Sequence, residues 1–540
     1  MLRRRGEYGV LVMASCFFIV FIVIVCNFFR IAFEQKEVPA AGTDRTLTIE
    51  VGDCQGTVYD RQLRPLTNSE TKLMAAAVPS SLARDETASY AVDRESFLTD
   101  YEKGKPFVFE CTEKALDSDG LTVFEIPVRY SADQPAQHII GYLSDNKGAD
   151  GIEYAYDSVL RNGLPQNSVS YTMDGSGRVL IGDRKQVFRS KAYKSGVVLT
   201  LDKEIQKICE ECGKGICKGA IVCADIKSGD ILGMASFPDY STDNIEAALT
   251  DPDSPLINRA IYSYSVGSVF KLVTAAAALE SGEEGYVYEC DGSIDVSGRI
   301  FNCHKLDGHG LQDMTDAMIN SCNTYFISLS QTLDISEYRK KASCLGFGRE
   351  NYLCAGITGS GGVLPSEKDL SIPAELANFA FGQGKLTATP LQVTQLTCAI
   401  ANDGKMPVLK LIKGLTPDGS AVLKEKRTLT SEVMSADTAK TIKKMMMLAV
   451  RENENSNARS SKVSIGAKTS TAQTGRINDK GEELCHAWIT GFFPARHPRY
   501  ALTVLIEDGG YGNETAAPVF RMIAERITGL EKSGLFSENS

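Results

Sequence analysis

Gly9 to Phe29 (GVLVMASCFFIVFIVIVCNFF) carries no charge, and only Ser15 and Asn27 interrupt its apolar character. A helix needs roughly 20 such residues to cross a bilayer, so this stretch predicts a single membrane crossing. Arg3, Arg4 and Arg5 precede it, whereas the far flank has only Arg30 and then Glu34 and Lys36. That bias holds the amino end in the cytoplasm and sends the rest of the chain to the other side. A cleaved signal peptide is disfavoured, because the run exceeds an ordinary signal core and no small-x-small site follows Cys26.

Composition narrows what lies beyond the crossing. The 540 residues are 43% hydrophobic and 23% charged, with 18 prolines, enough apolar material for two or three cored domains. A net charge of -10 provides no basic footprint, so nucleic acid is not an expected partner. Fifteen cysteines are present; Cys16 and Cys26 fall in the apolar run, and the other thirteen show no framework spacing. Cys209, Cys212 and Cys217 form C-x-x-C-x-x-x-x-C without a fourth ligand nearby, which favours structural or free thiols over a metal site.

Residues 1–30 therefore read as a cytoplasmic tail and transmembrane anchor, and 31–46 as a polar stalk. Between 47 and 195, short β-rich pieces (TLTIEV, GTVYD, PFVFE, LTVFEIPVRY) alternate with Gly, Asp and Asn turns, and helical periodicity is scarce. This region predicts an extended, non-catalytic platform. A boundary near Gly196 follows from the helix-like VVLTLDKEIQKICEECG, with Asp202 as its cap. The hairpin GAIVCADIKSGDILGMAS, turning at Lys227-Ser228-Gly229, comes next. Three strand-like runs, KTSTAQ, HAWITGFFPA and YALTVLIED, and the helix PVFRMIAERI close the domain at about 530, leaving 531–540 as a tail. Strands at both ends around a helical middle predict an α+β domain, an antiparallel sheet covered by helices.

Three strings in that domain carry chemistry. Ser268-Val-Phe-Lys271 is weak alone, since S-x-x-K should occur roughly twice by chance in such a chain, and Ser144-Asp-Asn-Lys147 also fits but reads as a turn. Ser268 differs because the apolar helix VFKLVTAAAALE follows it. A serine there lies at a helix amino end, with Lys271 at i+3 as the candidate base. A lysine can take a serine proton only when burial or a nearby cation depresses its pKa. Ser321-Cys-Asn323 sits at a break between helical stretches and predicts a polar elbow, Ser321 relaying a proton and Asn323 donating its amide. Lys468-Thr469-Ser470-Thr471 begins a strand whose edge can pair with an extended ligand; Lys468 would hold a substrate carboxylate and lower the pKa of Lys271. Backbone N–H groups of Ser268 and Thr471 would form an oxyanion hole.

The order and separation of these strings resemble S-x-x-K, S-x-N and K-T-G of the class B, monofunctional penicillin-binding proteins. Further segments are similar to that family's landmarks: GTVYDRQLRPL (Gly56 to Leu66), His138 to Gly163, GAIVCADIKSGDILGMASFPDY, INRAIYSYSVGSVFK, GQGKLTATPLQV, AIANDG and HAWITGFFP. The resemblance implies a peptidoglycan D,D-transpeptidase that acylates Ser268 with stem peptides or β-lactams. It further implies a five-stranded sheet, a dimerisation-type platform, substrate contacts at Thr469, Ser470 and Thr471, no metal or cofactor, and work with a membrane-embedded glycan polymerase. One departure is Ser470, where the third motif usually has Gly; its side chain is expected near the path of the incoming ligand. His486 is expected to be a packed strand residue, and His304 and His309 are weak indications of metal. A D,D-carboxypeptidase or β-lactamase, or a non-catalytic β-lactam sensor or scaffold, would share the motifs.

Overall fold

A computed structural model describes Ile22 and residues 45–532, except 53–54, 162–165, 175–177, 181–184, 424 and 426. The predicted anchor, apart from Ile22, and the stalk up to residue 44 lie outside the described residues. Among those described, no helix is long and apolar enough to cross a membrane.

Five strands form the central sheet: β1 (Gly219–Asp225), β2 (Ile231–Phe237), β3 (Gly466–Ile477), β4 (Glu483–Phe493) and β5 (Tyr500–Ile506). Their spatial order is β2-β1-β5-β4-β3, and every neighbouring pair is antiparallel. The predicted hairpin is β1–β2, with Gly229 at φ +69° in its turn. Helices flank the sheet: α1 (Lys203–Gly213), α2 (Lys271–Glu280), α3 (Asn323–Ser330), α4 (Pro390–Ala401), α5 (Ala436–Arg451) and α6 (Ala516–Lys532).

Both faces of the sheet are covered, so β1, β2 and β5 read as continuous apolar runs rather than alternating ones. On one face Ile205 and Ile208 of α1 join Phe520, Ile523 and Ile527 of α6 against Ile221, Leu232, Ile489 and Val504. On the other, every residue of α4 is buried. Its threonines reach into the sheet: Thr394 Oγ1 donates to Thr503 Oγ1 at 2.8 Å, and Thr397 and Thr490 hydroxyls meet at 2.6 Å. A helix buried all round needs such partners because an unpaired hydroxyl in the core costs about 1–3 kcal/mol.

The region before Gly196 contains two three-stranded sheets. Phe107–Glu110, Glu70–Ala77 and Leu121–Val128 form one; Arg45–Glu50, Ser168–Met173 and Gln186–Phe188 form the other. It is less purely β than expected. Arg94–Glu102 is a helix capped by Asp93, and it packs Phe97 edge-on against Phe109 at 4.7 Å. Its single buried position, Phe97, leaves no repeating apolar stripe for a periodicity reading to find.

The predicted boundary is a seam, not a gap. Gly196–Leu199 pairs in parallel with Thr57–Tyr59 and antiparallel with Ile412–Thr416, and Val58, Ile139, Ile152 and Leu160 share one core with α2, α3 and α4. Asp60, fully buried, ties the seam. Its Oδ1 accepts the N–H groups of Gln62 (2.9 Å) and Arg64 (2.8 Å), while Oδ2 accepts Arg64 Nε (2.7 Å) and the N–H of Lys203 (3.1 Å) at the start of α1. Arg64 also reaches Asp202 Oδ1 at 3.0 Å, the oxygen that caps α1. Asp60→Ala should therefore destabilise the chain by about 3 kcal/mol in chemical denaturation. A loss below about 1 kcal/mol would show that the seam holds by apolar packing alone.

Candidate active site

Ser268 lies in a short 3-10 turn, Gly267–Phe270, that runs directly into α2. The turn is wedged into place by glycines at its two closest approaches. Gly267 has φ +61°, and its N–H donates to Gly382 O at 2.8 Å. Gly382, at φ +79°, passes so near that a Cβ there would lie 2.1 Å from Gly267 O. The segment before the turn is clamped to the sheet: Trp488 Nε1 donates to Ser265 O at 3.0 Å, and Tyr264 OH to Glu507 Oε1 at 2.7 Å. The same carboxylate pairs with buried Arg259 at 2.7 Å.

Lys271, the first residue of α2, is 0% exposed and turns its amine under the Ser321–Asn323 elbow. Nζ donates to Ser321 O and Asn323 Oδ1, both at 2.6 Å, and lies 3.3 Å from Ser321 Oγ. Burial first, and the Lys468 charge second, hold its pKa well below the usual lysine value, although three acceptors offset part of the lost hydration. The elbow breaks the chain between Met314–Ile319 and α3. Ser321 sits at φ +52°, a left-handed conformation that a non-glycine residue adopts at a cost of order 1–3 kcal/mol.

Lys468 approaches from β3, the edge strand. Its Nζ donates to Ser321 Oγ at 2.9 Å and to Thr469 O at 2.9 Å. Burial lowers its pKa to about 8. The Ser321 hydroxyl therefore bridges two buried lysines. Ser268, Ser321, Asn323, Lys468, Thr469, Ser470 and Thr471 line one cleft of about 1450 Å³, large enough for an extended peptide.

Ser470 lines the cleft, but its hydroxyl is engaged beneath the Ser268 turn, donating to Val266 O at 2.8 Å, and the residue is 3% exposed. The reason is strand alternation: Lys468 and Ser470 lie on the same face of β3, the one turned toward α2 and the turn before it. Thr471 lies on the opposite face, where its Oγ1 accepts the N–H of Gly512 at 3.3 Å.

His486 is a packed strand residue, 7% exposed and edge-on to Tyr264 at 5.3 Å; its Nδ1 accepts the N–H of Asp508 at 3.2 Å, and it does not line the cleft. Residues that the sequence reading missed also line it, among them Phe381 and Gln383 beside Gly382, Asn302, and Tyr511 after β5. Apart from Asn302, which ends the short strand Arg299–Asn302, they belong to loops, where no periodicity marks them. The G-Q-G string around Gln383 was the available signal.

Residues 219–525 match the family described as the penicillin binding protein transpeptidase domain, more than half of the chain. The chain belongs to this family. Stage V sporulation protein D of Bacillus subtilis (strain 168) is 30% identical over 425 residues, covering 75% of this chain and 64% of that protein, so the chain spans a little under two thirds of this relative. Peptidoglycan D,D-transpeptidase PbpA of Mycolicibacterium smegmatis is 28% identical over 437 residues, 74% of this chain and 83% of that protein. A solved peptidoglycan synthase complex, described as coordinating polymerization and crosslinking, aligns with a TM-score of 0.71 at 23% identity over 98% of this chain and 99% of its own. A ceftriaxone acyl-enzyme of penicillin-binding protein A from M. tuberculosis aligns with a TM-score of 0.65 at 21% identity, over 87% and 97%. At such identities the structural likeness concerns the fold.

Two changes test how the transpeptidase domain holds its serine. Gly382→Ala should displace the Ser268 turn and slow β-lactam acylation by at least about tenfold, given that misplacements near 1 Å can cost a hundredfold; an unchanged rate would show that the loop yields instead. Ser470→Gly removes the hydrogen bond to Val266 O, so it should lower stability by about 1 kcal/mol and shift acylation by a similar factor for small and bulky β-lactams. Rates diverging with side-chain size would put the hydroxyl back in the ligand path.

Proposed function

We propose that the chain is a membrane-anchored peptidoglycan D,D-transpeptidase in which Ser268 is the nucleophile, Lys271 its base, Ser321 the proton relay and Lys468 the carboxylate anchor. The observation that carries this reading is the Ser321 hydroxyl shared by Lys271 and Lys468 in the cleft that also holds Ser268. A neutral Lys271 takes the Ser268 proton as Oγ attacks the carbonyl of the penultimate D-alanine. The N–H groups of Ser268 and Thr471 receive the developing oxyanion. The terminal D-alanine leaves after its amine gains a proton through Ser321, and its carboxylate is held by Lys468. An amine on a second stem peptide then takes the acyl group and restores the serine.

A β-lactam presents a cyclic amide carbonyl and a carboxylate in place of the peptide's and stops at the acyl-enzyme. Thr469 is assigned to substrate binding along the open edge of β3, and Asn323 to the substrate amide. The apolar run from Gly9 to Phe29 supports a single-pass anchor with the catalytic domain outside the cytoplasmic membrane. A membrane-embedded glycan polymerase is the proposed partner, in keeping with the likeness to the peptidoglycan synthase complex.

Incubation with benzylpenicillin should place one adduct on the peptide containing Ser268, and Ser268→Ala should abolish it without loss of fold. Lys271→Ala should slow acylation by at least about a hundredfold. With lipid-linked precursor and a polymerase, cross-linked muropeptides are expected; tetrapeptide and free D-alanine alone, with acceptor strands present, would assign a carboxypeptidase instead.

The pH dependence has a definite sign. Lys271 must be unprotonated to act, so acylation rises with pH through its depressed pKa. Lys468 must be protonated to hold a carboxylate, so acylation falls again above its value of about 8. Second-order acylation rates should trace a bell whose alkaline limb moves upward in Lys468→Arg, since a guanidinium keeps its proton. A limb that stays in place would assign the titration to another group.

A further inference from the structure

Four potential metal donors converge behind the catalytic elbow. The Sγ atoms of Cys290, Cys303 and Cys322 and a ring nitrogen of His309 all lie within 4.8 Å of one another. Cys290 Sγ and Cys303 Sγ are each 3.5 Å from His309 Nδ1, and Cys303 Sγ is 3.9 Å from Cys322 Sγ. A tetrahedral zinc with Zn–S near 2.3 Å and Zn–N near 2.05 Å has S···S edges of about 3.8 Å and S···N edges of about 3.6 Å. The observed separations match those edges. They do not match a disulfide, whose sulfurs stand about 2.05 Å apart.

We propose that Cys290, Cys303, His309 and Cys322 form a closed, structural Cys3His zinc site that staples a hairpin insert to the catalytic elbow. Three observations beyond donor distance support it. The three cysteines are at most 2% exposed. Thr324 Oγ1 donates to Cys290 Sγ at 3.1 Å and lies 3.4 Å from Cys322 Sγ. Such donors neutralise and orient thiolates around a metal. Two tight glycine turns make the convergence: a Cβ on Gly292 would lie 1.8 Å from Leu306 O, and one on Gly308 2.0 Å from Cys290 O.

The insert has reason to need a staple. Tyr288–Cys290, Ser293–Val296, Arg299–Asn302 and Gly310–Gln312 are strands of three or four residues, paired two by two, with Ile300, Leu306 and Leu311 left exposed. Hairpins this short are not stable alone. Cys322 lies between Ser321 and Asn323, whose oxygens hold Lys271, so the metal would fix the strained elbow as well as the insert. With four protein ligands the site keeps no open position for chemistry. Binding Zn2+ releases three thiol protons and leaves the site with one net negative charge. Sequence reading missed the site because C-x12-C-x5-H-x12-C is wider than familiar zinc spacings; it had paired His309 with His304, an exposed neighbour whose Nδ1 is 3.9 Å from Cys303 Sγ.

The full chain, purified in detergent under non-thiol reductant, should carry one zinc by elemental analysis, and cobalt exchange should give the visible bands of a tetrahedral thiolate-rich centre. Cys290→Ser and His309→Gln should each reduce metal stoichiometry at least fivefold. No metal and no cobalt spectrum in the unmutated chain, undiminished metal in both variants, or a Cys303–Cys322 disulfide would each overturn the site. These readouts are independent of the transpeptidase reading. The coupling to the elbow rests on that reading: removing zinc should slow penicillin acylation at least about tenfold, with recovery on zinc but not magnesium. Unchanged acylation in zinc-free protein, with penicillin still bound at Ser268, would overturn the coupling alone.

Discussion

A lysine amine buried to zero exposure cannot be left without acceptors, and the catalytic half of this chain is organised around that constraint on Lys271. Its acceptors come from a peptide carbonyl and two side chains on the Ser321–Asn323 elbow, fifty residues away. Holding the elbow there forces Ser321 into a left-handed conformation, and the apolar helices on either side resist its relaxation. The strain is thereby placed next to Ser268, where a fixed hydroxyl and amine are most useful.

A second cation sharpens the arrangement. Lys468 reaches the other side of the Ser321 hydroxyl, and its charge disfavours protonation of the Lys271 amine. The depression is therefore not only a matter of burial; it depends on the register of an edge strand against a helix. Strand alternation that aims Lys468 at Ser321 also aims Ser470 at Val266 O, so the residue that departs from the family motif serves to bind the strand to the nucleophile turn. A hydroxyl in place of hydrogen there adds a donor under the turn and leaves the outer edge of β3 open.

The elbow is held from behind as well. Cys322 Sγ meets Cys290, Cys303 and His309, the last two at the cleft wall, while the oxygens of its two neighbours hold Lys271. The tripeptide is thus pinned between a polar cluster and a buried amine. That geometry links the outer hairpins, which also line the cleft, to Lys271 and Ser321.

Local sequence determined a good deal here. Asp202 caps α1 as its side-chain oxygen and position require, Gly229 closes the β1–β2 hairpin, and the S-x-x-K, S-x-N and K-T-x strings stand at a helix start, a helix break and a strand, because each needs only a few neighbouring residues to specify it. The antiparallel sheet was legible from strand-like runs at both ends of the domain, and its count of five strands came from the family resemblance. What only tertiary structure decided is which side chains meet across long loops: the direction of Ser470, the wedge of Gly382 against Gly267, the seam that joins Thr57–Tyr59 to Gly196–Leu199, and the convergence of three cysteines with His309. The physical reason is one of range. Caps, turns and amphipathic periods are written in residues a few positions apart, whereas these contacts reach across as many as 204 positions, and packing alone selects them.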